Sequence, residues 1–151
     1  MRRLSGVLLA GAILMLPAFS QNAFAQTPPQ KTTYSGDVVL VAYAINADKT
    51  GDYEKVVATL KDSLSKSQRP EAKQQLAGWK IIKNSKPQPD GSIVYVHVIT
   101  VVKEADYSIT NLVYEAVTDP MERQNFFNLY KGALKAPLFA IEGPLVADFA
   151  K

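Results

Sequence analysis

One α+β domain, a four-stranded antiparallel sheet with helices packed against it, is the fold this sequence predicts. Three observations predict it. From residue 37 onward, short continuous runs of β-branched and aromatic residues alternate with stretches whose apolar residues recur every three or four positions. The runs come in the order β-α-β-β-α-β. The two middle strands are joined by a Pro-Asp-Gly turn, in which proline presets φ and glycine accepts φ > 0, so they form a hairpin.

The elements follow in chain order. "DVVLVAYAI" (37 to 45) is too short for an ordinary helix and reads as a buried strand. In "GDYEKVVATLKDSLSK" (51 to 66), Tyr53, Val56, Val57, Leu60 and Leu64 share one helical face, opposite Lys55, Lys61 and Asp62. Thr50 or Asp52 is suited to cap its first turn. Pro70 opens a short helical turn that ends before Gly78. "WKIIK" and "SIVYVHVITVV" are the hairpin strands, on either side of residues 86 to 91. Asp106 is placed to cap a helix carrying Ile109, Leu112, Val113 and Ala116. Asp119-Pro120-Met121-Glu122 restarts it with a capping residue, a first-turn proline and an N3 glutamate. Phe126, Phe127, Tyr130 and Leu134 continue that apolar pattern. "LFAIEGPLVADF" (138 to 149) reads as a last strand, bent or interrupted at Gly143-Pro144.

Right-handed crossovers arrange such an order as a ferredoxin-like split unit, its helices on one face of the sheet. The first and third strands are then central, and the second and fourth are edges. The central runs 37 to 45 and 93 to 102 are apolar on both faces, while Lys80, Lys83, Lys86 and Pro144 mark the edges. On this pattern the chain resembles the dimeric α+β barrel superfamily, which includes the antibiotic-biosynthesis-monooxygenase-like domains. More closely, "AGWKIIKNSKPQPDGSIVYV" and "VVKEADYSITNLVYEAV" resemble a group of small exported bacterial proteins with no assigned activity. The resemblance covers most of residues 36 to 149, and its motifs are structural.

The N-terminus, MRRLSGVLLAGAILMLPAFSQNAFA, pairs Arg2 and Arg3 with an apolar run from Val7 to Phe19 and an Ala23-Phe24-Ala25 exit. That is a secretory signal, too short to span a bilayer core of about 30 Å, and the general secretory route suits it. The expected division is signal 1–25, disordered leader 26–35 and one domain 36–151. Cleavage after Ala25 leaves 15 basic against 14 acidic residues. Such a near-neutral surface gives no footprint for nucleic acid. Cysteine is absent, so no disulfide, lipid anchor or thiol nucleophile is expected. The mature chain is expected to be periplasmic or extracellular, with no membrane attachment.

Chemistry is sparse. His97 is the only histidine and Trp79 the only tryptophan. Strand alternation puts Tyr95 and His97 on one face and Val94, Val96 and Val98 on the other. The valine face is expected to meet the helices, leaving the Tyr95–His97 face to a second copy of the chain. A cavity between the two sheets, lined by His97, Tyr95, Trp79 and Tyr43, would take a small apolar ligand. His97 there suits a general base, a haem ligand or a proton shuttle, or a filler with one hydrogen bond, and the filler is favoured. The sequence places no second histidine, cysteine or close carboxylate pair to orient it or hold a metal. Glu142 and Asp148 read as solvent-facing, and Tyr107 and Tyr114 as packing residues. There is no Gly-x-Ser-x-Gly elbow, phosphate loop or dinucleotide fingerprint, so no cofactor is expected. The function expected is therefore a noncatalytic, homodimeric exported module. The alternative is a small cofactor-free oxygenase or a haem-handling enzyme of the barrel type.

Overall fold

The computed structural model describes residues 30–149; the expected signal and cleavage site lie outside them. The strands are β1 (Val38–Ile45), β2 (Trp79–Lys83), β3 (Ile93–Thr100) and β4 (Leu134–Gly143). The helices are α1 (Thr50–Lys66), α2 (Ala72–Gly78), α3 (Ile109–Ala116) and α4 (Pro120–Ala133). The strands form one antiparallel sheet in the order β2-β3-β1-β4, with β1 and β3 central.

The hairpin turn forms as its residues dictate. Gly91 N–H donates to the Gln88 carbonyl at 2.9 Å, Pro89 stands at the second position, and Gly91 has φ +81°. Asp90 braces the turn by accepting from the Ser92 N–H and hydroxyl. Helix α4 starts as its motif predicts, with Asp119 accepting from Met121 and Glu122 N–H. Two caps differ from expectation. A short 3-10 turn at Ala47–Lys49 leads into α1, so neither Thr50 nor Asp52 caps it. Ser108 caps α3, while buried Asp106 accepts from Ser108 N–H and Thr32 N–H.

That last bond ties down a stretch read as disordered leader. Tyr107 N–H donates to the Thr32 carbonyl at 2.7 Å, Asn111 donates to the Gln30 carbonyl, and Tyr34 packs on the Tyr107 ring. β4 also differs. It begins at Leu134, where the apolar helical pattern seemed to continue, and ends at Gly143. Beyond it, residues 144 to 149 form no strand. Gly36 has no room for a side chain, because a Cβ would lie 2.7 Å from the backbone of Gly143.

Register divides the sheet into two faces. Val41, His97 and Ile81 lie across one face with Val39, Tyr43, Tyr95, Ile99 and Trp79. The apolar clusters joining helices to the sheet draw on this set: Tyr53 of α1 and Ala133 of α4 pack with Ile45 and Tyr95, and Trp79 with the helical cluster. Leu40, Val96, Val98, Phe139 and Ile141, on the other face, belong to none of these clusters. The expected assignment of faces is therefore reversed, and the Tyr95–His97 face is the one under the helices. The physical reason is hydrogen bonding. Histidine and tyrosine are buried beneath a helix that brings polar partners to them, while valines need none.

Candidate functional site

The single histidine sits at the middle of central strand β3 and is 1 % exposed. All four residues read from the sequence as a site meet there. Trp79, at the start of β2, donates its indole N–H to His97 Nδ1 at 3.0 Å. Tyr43, on β1, meets the imidazole edge-on with ring centroids 5.4 Å apart. Tyr95, two residues before His97, packs edge-on against Tyr53, the residue the sequence reading missed as a partner. The Tyr53 hydroxyl lies 2.7 Å from His97 Nε2. Tyr53 was legible as an apolar-face residue of α1, and nothing local marked its hydroxyl as the group that reaches histidine across 44 residues of sequence.

The bonding fixes the tautomer. An indole nitrogen only donates, so Nδ1 is the acceptor and the proton resides on Nε2, which donates to the Tyr53 oxygen. Burial pushes the His97 pKa down to about 4, so the ring is neutral near pH 7. Burial likewise raises Tyr53 and Tyr43 above the ordinary phenol range. Both imidazole nitrogens are thus engaged. Accepting a substrate proton or ligating haem iron would require breaking the bond from Trp79 or displacing the Nε2 proton from Tyr53. The arrangement is a clamp that joins α1, β2 and β3.

A second clamp lies beside it at the surface. Glu54 of α1 accepts from the Tyr95 hydroxyl and from Lys83, each at 2.8 Å. Hydrogen bonds from Lys83 and then Tyr95 hold the Glu54 carboxyl below its ordinary range. Among the described residues no three His, Cys, Asp or Glu side chains converge as a metal site, and no buried side-chain polar atom lacks a partner. No described helix is long and apolar enough to cross a membrane.

Of the clefts that adjoin the helices, two flank α1 on the side of α2. The larger, about 610 Å³, lies between the end of α1 and α3 and is lined by Arg69, Leu112 and Glu115. Its arginine is already bound to Glu71, Glu115 and Gln75. The other, about 380 Å³, runs between α1, α2 and β2, with Trp79 in its wall. The expected cavity on the His97 side of a dimer is replaced by packed helix. No protein-family model, no curated protein and no solved structure matches this chain.

Proposed function

We propose that this chain is a noncatalytic exported module of ferredoxin-like topology, its helices on one face of the sheet and a second copy of itself on the other. The observation that carries the reading is the uncovered apolar face. Across it run Ile82 on β2, Val96 and Val98 on β3, Leu40 on β1, and Phe139 and Ile141 on β4, around Val94, Ala42 and Ala44, which are buried. Ile82, Phe139 and Ile141 are exposed, Ile141 by 60 %.

Four strands of five to ten residues, about 4.8 Å apart, present a face of about 500 Å² in projection. Beyond β4, Leu145, Val146 and Phe149 add further exposed apolar surface, Val146 at 94 %. A stable interface buries roughly 800 Å² per partner, so the pairing would extend past the sheet face onto its flanks. A monomer would leave an apolar patch of a size that soluble chains seldom expose. The doubly bonded, neutral His97 supports the noncatalytic reading over the oxygenase or haem-handling one.

Analytical ultracentrifugation of the chain starting at Gln26 tests the pairing. A dimer at micromolar concentration is expected, converted to monomer by Val96→Asp, which places a carboxylate in the middle of the face. A monomeric wild type, or a dimer indifferent to Val96→Asp, would overturn the reading. Export is tested by the mass of protein recovered outside the cytoplasm, expected to begin at Gln26.

A further inference from the structure

We infer that the groove between α1, α2 and β2 is a binding site for a single-chain amphiphile bearing one carboxylate, its apolar body along Trp79 and its anion at Lys61. This site is on the helical side of the sheet and does not depend on the proposed pairing.

The groove is lined by Val57, Leu60 and Leu64 of α1, Leu76 of α2, and Trp79 and Ile81 of β2, with Lys61 as its one charged residue. Its volume of about 380 Å³ falls within the range of small-molecule pockets. Leu60 and Leu64 are buried, while Val57, Leu76, Trp79 and Ile81 are only half-buried, so an apolar surface remains to be covered. The groove exists because β2 is an edge strand, flanked by α1 and the seven-residue α2 rather than roofed by a long helix. Its wall is preorganised. The Trp79 indole N–H is bound to His97, which fixes the ring and leaves it no polar demand toward a ligand.

Charge selects the ligand class. Toward the start of α1, Glu54 neutralises Lys83 of β2, and Lys49 and Lys55 share Asp52. Lys61 has no carboxylate partner among the described residues. It shares the groove lining with Ile81 and Trp79, and no lining residue offers an anion. An unpaired ammonium at an apolar groove complements a carboxylate with a hydrocarbon tail. A neutral or cationic amphiphile of the same length would lack that contact.

Trp79 is the sole tryptophan and stands in the wall of this groove, so its fluorescence reports on the groove and on the rings of His97 and Tyr107 behind it. Decanoate, decan-1-ol and decyltrimethylammonium are the probes, titrated by fluorescence and by calorimetry against wild type and Lys61→Glu. Decanoate is expected to change Trp79 emission saturably and to bind about two- to fivefold more tightly than decan-1-ol, as one exposed ion pair would give. Lys61→Glu, at an exposed position, is expected to reverse the order and favour the cation. Equal binding of all three probes, or an order unmoved by Lys61→Glu, would overturn the anion assignment. Calorimetric binding without a Trp79 response would place the ligand elsewhere, and absence of saturable binding would remove the site.

Discussion

His97 ties the stability of this protein to acidity through a proton it does not take up. Its folded pKa of about 4 lies below the ordinary histidine value of 6.5, so between those values the unfolded chain binds more protons than the folded one. The associated stability is fully present above about pH 6.5 and is lost as pH falls toward 4, amounting to about 3 kcal/mol. His97→Gln retains a donor and an acceptor without the titration. Its denaturation midpoint is expected to fall less than that of the wild type between pH 7 and 4, and parallel curves would refute the assignment. Tyr53→Phe leaves the Nε2 proton buried without an acceptor and is expected to cost about 1–3 kcal/mol, read by urea denaturation at pH 7. The sequence brought Tyr43, Trp79, Tyr95 and His97 together correctly through strand alternation. It did not show what lies above them. A period of two separates two faces but cannot say which is covered when both are apolar. The deciding group, the Tyr53 hydroxyl, belongs to another element.

The hairpin turn and the start of α4 were legible because their chemistry is local, whereas the caps expected for α1 and α3 were not the ones formed. Gly91 has open space around it, so the cost of Gly91→Val is that of the backbone at φ +81° and not of a clash. An expected loss of about 1–3 kcal/mol would appear in the denaturation midpoint, and an unchanged midpoint would mean the turn relaxes freely. The segment before β1 was misread for the opposite reason. Its polar composition hides hydrogen bonds made to residues more than seventy positions away, Thr32 to Asp106 and Gln30 to Asn111. A chain starting at Ser35 is therefore expected to be less stable than one starting at Gln26, by about 1–3 kcal/mol for the bonds lost. Equal midpoints would show these contacts to be neutral. β4 was displaced in the sequence reading because Phe126, Tyr130 and Leu134 keep a helical spacing; the strand that forms instead includes Pro137. As an edge strand, β4 tolerates a proline that a central strand would not. Leu134 already has extended backbone, at φ −66° and ψ 124°.

At the scale of the molecule, the first strand made is a central one and the last strand made is its neighbour. β4 pairs with β1 from Ile45–Leu134 to Val38–Gly143, and Asp37 N–H donates to the Gly143 carbonyl. A chain ending at Ala133 leaves β1 with one neighbour and removes the strand against which Tyr43 and Ile45 are held. Such a chain is expected to show no cooperative unfolding transition by circular dichroism, and a sharp transition would prove β4 dispensable. Because contacts between the two ends of the chain must close a long loop, they form late. During synthesis, then, the sheet stays incomplete until Gly143 has emerged. Were the chain exported unfolded, as proposed, this ordering would serve as a timer. The nascent polypeptide remains threadable for as long as its tail is unmade, and pulse-labelled prefixes should stay protease-sensitive up to the length that includes Gly143.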